Sequence, residues 1–235
     1  MRFQNTLVEA VLIKRYKRFL ADVSLANGEI ITVHTPNTGS MMGCSTPGSR
    51  VWIQDSGNPD RKYLYSWELV EVQPGVITGI NTLLANKLVL EAIHSGCISE
   101  LAAASSVKSE VAYGIEKSRI DFLVESDNSR LSYVEVKNVT LVENNIAYFP
   151  DAVSKRGSKH LRELINVVNQ GHRGIIIYCV QRSDAQTFSP ADNIDPEYGS
   201  LLRQAISAGV EALAYQADVS PQEVLIKKSL PVVCP

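Results

Sequence analysis

The pattern of apolar residues changes near residue 81, and this change most constrains the fold. Before it, short runs of apolar residues typical of strands are separated by turn-forming stretches, without a helical period. Ala26-Asn27-Gly28 lies between two such runs, and an Asn-Gly pair is a strong signal for a hairpin. Five or six short strands without a helix favour a small barrel, and the size fits an OB fold. We therefore predict an OB-like β-barrel over residues 1–80.

After residue 81, segments with a helical period alternate with strand-like segments. A helical segment begins at Leu83, three strand-like segments follow it, and a basic helix is predicted over 154–170. The continuously apolar run 174–180 is typical of a strand buried on both faces of a sheet. A last helix starts at the Asp195-Pro196 cap and leads into a strand. The order α-β-β-β-α-β-α-β predicts an α/β domain with a central mixed sheet over residues 81–235, in a chain that is α+β overall.

Composition excludes several classes of protein. Of the 235 residues, 45% are hydrophobic and 20% are charged, which is typical of globular proteins. No apolar run approaches the ~20 residues needed to cross a bilayer, and no signal peptide is visible, so we expect a cytoplasmic protein without a membrane partner. The four cysteines show neither a CxxC pair nor zinc-ligand spacing, so we expect reduced thiols. The formal net charge of −2 does not exclude nucleic acid, because a neutral total can hide a basic face.

The most informative stretch places two acids on neighbouring predicted strands. Thirteen residues separate Asp121 from Glu135, and Lys137 follows Glu135 by two positions, so the last two side chains share a face of their strand. Two carboxylates and an intervening backbone carbonyl form a hard-oxygen site that suits Mg²⁺ or Mn²⁺. Lys137 is then placed to orient or deprotonate a water, or to stabilise charge on a phosphate. The alternative is a structural charged pair, because E-x-K triplets are common by chance.

A third acid for this site is expected from another element. Glu91 on the preceding helix is the candidate, with Glu100 and Glu110 as rivals. The predicted metal ligands are therefore Asp121, Glu135 and Glu91, and the predicted catalytic residues are Asp121, Glu135 and Lys137. The metal is Mg²⁺ or Mn²⁺, and no organic cofactor is expected.

Two clusters of cations are candidates for contact with nucleic acid. The first, in residues 14–18, interleaves cations with an aromatic ring, which suits an OB-type groove that pairs phosphates and stacks bases. Its alternative is an edge strand protected by lysines. The second lies on the basic helix, where positions i, i+4 and i+7 share a face, and its alternative is a plain surface helix. Arg119 either pairs with a site carboxylate or reaches a phosphate. The predicted nucleic-acid-binding residues are Lys14, Arg15, Tyr16, Lys17, Arg18, Arg119, Lys155, Arg156, Lys159, His160 and Arg162.

Motifs along the whole chain resemble known families. Arg119-Ile120-Asp121 and Glu135-Val136-Lys137, in an α-β-β-β-α-β order, resemble the PD-(D/E)xK nuclease superfamily. Together with Pro36-Asn37-Thr38-Gly39-Ser40-Met41 and Phe149-Pro150-Asp151-Ala152-Val153, they are similar to the sugar fermentation stimulation protein A family. The resemblance implies DNA binding, an N-terminal OB-like domain and a C-terminal nuclease-like domain. It also implies catalytic-type positions at Asp121, Glu135 and Lys137.

Three hypotheses for the function stay open at this point. The first is a DNA-binding protein whose nuclease-like domain is a Mg²⁺-dependent phosphodiester hydrolase, with RNA as a further partner. The second is a non-catalytic, transcription-associated DNA-binding regulator of sugar utilisation genes. The third, a sugar-phosphate enzyme, is prompted only by the family name, and no glycine-rich phosphate loop supports it. No helix-turn-helix or zinc-finger pattern is visible, so we expect weak sequence selectivity, and a homodimer stays open.

Overall fold

The first part of the chain is a closed β-barrel in the computed structural model, which describes residues 1–3, 5–116, 118–126 and 130–235. Its strands are β1 (Val8–Tyr16), β2 (Leu20–Leu25), β3 (Ile30–His34), β4 (Arg50–Asp55), β5 (Tyr65–Gln73) and β6 (Val76–Gly79). They are hydrogen-bonded in the order β3-β2-β1-β4-β5-β6, and β3 also pairs with β5. This extra pairing closes five strands into the OB-like barrel that the sequence predicts.

The second part is built on a six-stranded mixed sheet. Its elements are α1 (Leu83–His94), β7 (Ala104–Tyr113), β8 (Ser118–Ser126), β9 (Ser132–Val139), β10 (Leu141–Glu143), β11 (Ile146–Phe149), α2 (Lys155–Asn169), β12 (Arg173–Val180), β13 (Thr187–Pro190), α3 (Pro196–Ser207), β14 (Glu211–Val219) and β15 (Val224–Leu230). The sheet order is β15-β14-β12-β9-β8-β7. β12 runs parallel to β9 and β14, whereas the other neighbours are antiparallel. The predicted α/β order and central mixed sheet are confirmed.

Helices cover both faces of this sheet. α1 packs its buried Leu84 and Leu88 against one face, and α2 and α3 pack Leu161 and Leu202 against the other. β12 lies between these two cores, and its residues from Gly174 onward are all buried, as the continuous apolar run predicts. None of the helices in the described ranges is long and apolar enough to span a membrane.

Four strands are absent from the sequence-based prediction. β10, β11 and β13 form a separate three-stranded sheet, and β15 lies at the edge of the central sheet. The first three have only three or four residues each, so no alternation is visible in them. β15 carries the exposed pair Lys227-Lys228 in its middle. Tertiary pairing, which local sequence does not reveal, makes these segments strands.

A buried carboxylate fixes the hairpin between β7 and β8 to α2. Glu163 is fully buried, and it accepts hydrogen bonds from the backbone N–H groups of Ile115 and Glu116. Gly114 has a φ of +78°, and a Cβ at this position would lie 2.4 Å from the Glu163 carboxylate. Both the backbone conformation and the close approach therefore require glycine here.

We predict that Gly114→Ala destabilises the protein more than a matched substitution in open space. Gly28 has a similar φ of +84°, but a Cβ there meets no atom within 4 Å. Gly28→Ala should cost about 1 kcal/mol of unfolding free energy from the backbone conformation alone. Gly114→Ala should cost about 3 kcal/mol, because the Cβ also displaces Glu163. Urea unfolding measures both values, and equal losses would show that Glu163 does not hold the hairpin.

Candidate active site

The strand that carries Asp121 is twisted at that residue. Ile120 packs in the core with α2 and α3, whereas Phe122 packs in the core with α1. In a regular strand, residues two apart share a face. The described β7–β8 ladder has no pair between Glu110 and Asp121, and Glu110 has a φ of +55°. Irregularities of this kind re-aim side chains, and this one directs Asp121 toward α1.

β8 and β9 separate where they carry the two acids. The last pair of their ladder joins Phe122 to Val134, so the next register position sets Asp121 beside Glu135. There, Oδ2 of Asp121 accepts a hydrogen bond from the backbone N–H of Val136 at 2.7 Å. Oδ1 accepts one from Nδ2 of Asn86 on α1 at 2.8 Å. The carboxylate of Asp121 thus replaces a strand partner and joins β8 to α1 and β9.

Glu135 has one oxygen in contact with donors and one without a partner. Nζ of Lys137 donates to Oε1 at 2.6 Å, and Nδ1 of His160 contacts the same oxygen. Nε of Arg156 donates to Nε2 of His160 at 3.3 Å, so Nδ1 carries the proton that His160 donates to Glu135. Oε2 of Glu135 is buried and has no hydrogen-bond partner among the described residues.

The two carboxylates differ in their electrostatic surroundings. Burial, and then the negative charge of Glu135, raises the pKa of the Asp121 carboxyl. Burial also acts to raise the pKa of Glu135, but the Lys137 ammonium and the His160 hydrogen bond outweigh it, so this pKa is lowered. A cation between the carboxylates would offset the repulsion that acts on Asp121.

The carboxylates open into a cavity of about 390 Å³ whose lining includes Asp121, Glu135 and Lys137. Its lining fits a divalent cation, because it contains the carboxylates of Asp121 and Glu135, and Oε2 of Glu135 is buried without a partner among the described residues. No group of three or more His, Cys, Asp or Glu side chains is arranged to hold a metal among residues 1–3, 5–116, 118–126 and 130–235. Two carboxylates, completed by water and substrate phosphate, match the way in which Mg²⁺ is usually bound.

The predicted third acid does not reach this site. The Glu91 carboxylate is 45% exposed and pairs with the N-terminal amine of Met1 at 2.8 Å. Successive residues of a helix differ by about 100°, so Glu91 lies about 140° around α1 from Asn86, which faces Asp121. The rivals Glu100 and Glu110 also lie outside the described cavity lining. The prediction of Glu91 as a third acid of the site is wrong, because the α1 side chain that meets Asp121 is the amide of Asn86.

Arg15 of the first cationic cluster is committed to the protein itself. Its guanidinium donates to the backbone oxygens of Arg18 at 2.6 Å and of Asn37 and Gly39, both at 2.9 Å. These bonds fix loop 36–41 of the barrel, which lines the cavity through Asn37, Thr38 and Gly39. The structure therefore uses Arg15 to position this loop, instead of leaving it free for a phosphate.

The other members of the first cluster differ in whether their side chains are free to bind an anion. Lys14 lies 3.4 Å from Asp22, and the Tyr16 hydroxyl donates to Asp22 at 2.9 Å. Lys17 and Arg18 are exposed in the turn after β1, with φ angles of +49° and +65°. Neither has a side-chain partner in the described part of the chain, so both are free to meet an anion.

Two members of the second cluster bind the β7–β8 hairpin. Arg162 pairs with the Glu116 carboxylate at 3.1 Å, and Nζ of Lys159 donates to the Glu116 carbonyl. Lys155 and Arg156 are exposed near the start of α2, and Arg156 also lines the cavity. Only these two of the four cations on α2 remain for an external anion.

His160 is not placed as the sequence predicts, and of the two predictions for Arg119 the ion pair is wrong, whereas contact with a phosphate stays a prediction. His160 is only 4% exposed, and it contacts Glu135 instead of lying on the surface. Arg119 is exposed and lies outside the described cavity lining, so it does not pair with a site carboxylate. The twist at Asp121 accounts for this, because residues on either side of a twist no longer share a face.

The cavity residues without a role in the sequence-based prediction include Asn86, Thr38, Asp151 and Tyr148. Asn86 is a single polar residue in a helical apolar pattern, which is a weak signal. Thr38 and Asp151 belong to motifs that carry the family resemblance, but no spacing connects the two motifs. Tyr148 lies in a strand too short to predict.

The fold and site define a class of protein: an OB-like barrel joined to an α/β domain that carries a carboxylate–lysine site. Residues 13–80 match the family described as "SfsA N-terminal OB domain", and residues 83–223 match "Sugar fermentation stimulation protein RE domain". The chain belongs to the sugar fermentation stimulation protein family.

Relatives extend over the full chain. A sugar fermentation stimulation protein homolog from Geobacter metallireducens is 55% identical over 233 residues, covering 99% of this chain and 100% of the relative. A homolog from Pelobacter propionicus is 58% identical over 227 residues, covering 97% of both. The structure of Pyrococcus furiosus SfsA in complex with Ca²⁺ is similar, with a TM-score of 0.90 and 28% identity. That match covers 99% of this chain and 98% of the other.

We predict that Asn86→Ala lowers the unfolding free energy by about 1–3 kcal/mol, because it leaves Oδ1 of a half-buried carboxylate without its donor. Lys87→Ala, at the exposed next position of α1, is the control and should stay within about 0.5 kcal/mol of the wild type. Urea denaturation measures both. Equal stability of the two variants would mean that Asn86 does not support Asp121.

Proposed function

We propose that this protein is a divalent-metal-dependent phosphodiester hydrolase that acts on nucleic acid, with DNA as the first candidate substrate. The state of Glu135 carries the proposal. One of its oxygens meets Lys137 and His160, while the other is buried and has no partner among the described residues, and the negative charge of Glu135 acts on Asp121. A buried carboxylate oxygen without a donor is unfavourable unless a cation completes it.

The proposed metal is Mg²⁺ or Mn²⁺, held by Asp121 and Glu135. When bound, such an ion polarises a phosphoryl oxygen and lowers the pKa of a coordinated water. The Ca²⁺ bound by the Pyrococcus furiosus relative is a hard cation that also prefers oxygen ligands, which supports this choice.

The residues around the carboxylates have separate roles in the proposed reaction. Nζ of Lys137 lies beside Glu135 with 11% of the side chain exposed, and it is placed to orient the attacking water or to stabilise charge on the phosphate. Arg156, exposed at the cavity, is placed to bind another phosphate oxygen. His160 and Asn86 are positioning residues, because they act through Glu135 and Asp121.

A second candidate is a DNA-binding protein without turnover, the regulator of sugar utilisation genes that the family name suggests. The absence of Glu91 from the site favours this candidate. At the position where a nuclease site would gain a further oxygen ligand, Asn86 presents its amide N–H to Asp121 as a donor. In both candidates the DNA backbone would be bound by exposed cations with weak sequence selectivity, and RNA would compete with DNA.

We predict metal-dependent cleavage of DNA by the wild type. Asp121→Ala and Lys137→Ala should each reduce the rate at least about 100-fold, because they remove a metal ligand and the water-orienting amine. Glu91→Ala is the matched control and should keep the wild-type rate, since this exposed acid lies away from the cavity. The assay is oligonucleotide cleavage in Mg²⁺, in Mn²⁺ and in EDTA.

The controls separate the two candidates. Product that persists in Asp121→Ala would show that the site is assigned wrongly. Binding that survives in EDTA, without cleavage by the wild type in either metal, would favour the non-catalytic candidate.

We predict that Arg18→Ala weakens DNA binding about uniformly across sequences and lowers the salt dependence of log K by about one unit, because it removes one phosphate contact. Arg61, an exposed cation outside both clusters, provides the control variant Arg61→Ala, whose salt dependence should be unchanged. Fluorescence anisotropy over a range of salt concentrations measures this. An unchanged slope for Arg18→Ala would remove the first cluster from the interface.

A further inference from the structure

The cavity has two walls that come from distant parts of the chain. One wall is loop 36–41 of the barrel, and the other is segment 148–151, which contains the end of β11 and the two residues after it. Hydrogen bonds connect them, because Oδ2 of Asp151 accepts from the Ser40 hydroxyl at 2.8 Å and from the Met41 N–H at 3.1 Å. The walls cannot move apart unless these bonds break.

The barrel wall is fixed in place by its own network. Arg15 donates to the carbonyl oxygens of Asn37 and Gly39. The Asn37 side chain donates to the Ile80 carbonyl at 3.0 Å and accepts from the Gly39 N–H at 2.9 Å. Since all of these bonds are internal, this wall is formed before any ligand arrives.

Each wall presents one side chain that the protein leaves uncommitted. Thr38 is exposed at the cavity and makes no hydrogen bond with the described residues. Tyr148 is half-buried and lines the cavity, and its side chain makes neither an aromatic-ring contact nor a hydrogen bond in the described part of the chain. The neighbouring Phe149 differs, because its ring packs against Tyr178 and Tyr198.

The side chains that line the cavity match the parts of one nucleotide. The floor supplies carboxylates for a metal-bound phosphate, with cations from Lys137 and Arg156. Tyr148 supplies a free aromatic ring, and single-stranded nucleic acid is bound by stacking its bases on such rings. Thr38 supplies a hydroxyl that can donate to a phosphate or sugar oxygen.

The size of the cavity separates single strands from duplexes. Its volume of about 390 Å³ lies near the lower end of the range, roughly 300–1,000 Å³, in which pockets enclose small ligands. A double helix, whose major groove alone is about 12 Å wide, cannot be enclosed between walls that Ser40 and Asp151 hold together.

We propose that nucleic acid reaches the carboxylates as a single strand, one unpaired nucleotide entering with its phosphate at Asp121 and Glu135 and its base against Tyr148. This inference rests on the proposed function and names its substrate class. It assigns stacking to Tyr148, and it makes the barrel loop a part of the active site.

The test is equilibrium binding without turnover. A labelled mixed-sequence oligodeoxynucleotide and the duplex of the same sequence are titrated with the full chain in Ca²⁺, with a gel to confirm that the DNA stays intact. The wild type should bind the single strand at least about tenfold more tightly than the duplex. Tyr148→Ala should weaken single-strand binding about 5- to 150-fold and leave duplex binding unchanged.

Matched variants separate stacking from folding. Tyr148→Phe should bind like the wild type, because stacking needs the ring and not the hydroxyl. Tyr148→Leu keeps apolar bulk and should lose binding like Tyr148→Ala, so a poorly folded alanine variant does not decide the result. Tyr63→Ala, in a turn of the barrel outside the described cavity lining, should have no effect.

The outcomes distinguish this inference from the proposed function. Equal binding of single strand and duplex, or full binding by both Tyr148→Ala and Tyr148→Leu, overturns the inference even if the wild type cleaves DNA. A single-strand preference that depends on Tyr148, without cleavage in Mg²⁺ or Mn²⁺, supports the inference and overturns the hydrolase proposal.

Discussion

Two like-charged carboxylates, the half-buried Asp121 and the buried Glu135, line one cavity, and groups from α1, β9 and α2 hold them there. Asp121 is fixed by an amide from α1 and a backbone N–H from β9, while Glu135 is fixed by Lys137 and His160. The twist of β8 that aims Asp121 is accompanied by a left-handed backbone at Glu110, a conformation that costs about 1–3 kcal/mol in a non-glycine residue. The apolar residues buried in the two cores, one on each side of the sheet, offset this local cost in free energy.

Hydrogen bonds join the barrel to this site, in addition to the continuous chain. The N–H of Gly79, at the end of β6, donates to the carbonyl of the buried Gln181 at 2.9 Å, and the Gln181 side chain donates to Asn138, the residue after Lys137. With the bonds between Ser40, Met41 and Asp151, this contact fixes the barrel loop over the carboxylates. The OB-like part therefore contributes a wall of the site.

Sequence reasoning succeeds where neighbouring elements follow one another along the chain. Alternation and spacing on two consecutive strands bring Asp121, Glu135 and Lys137 together, and the periodicity change predicts the barrel and the α/β order. It misplaces Glu91, because the face of α1 that meets the sheet is decided by packing and not by charge. Sequence reasoning also misses the hydrogen bond between Ser40 and Asp151, because no local pattern connects residues 111 positions apart. Arg15 looks available in the sequence, but tertiary hydrogen bonds occupy it.

In the proposed function, chemistry and selection occupy separate parts of this cavity. The two carboxylates and Lys137 lie on β8 and β9 inside the mixed sheet, whereas Thr38 and Tyr148 lie on a barrel loop and a short outer strand. Substitutions in the walls can therefore alter which molecules enter without disturbing the residues that hold the carboxylates. In the proposed enzyme, such a division would let the walls change the choice of substrate while the floor of the cavity stays the same.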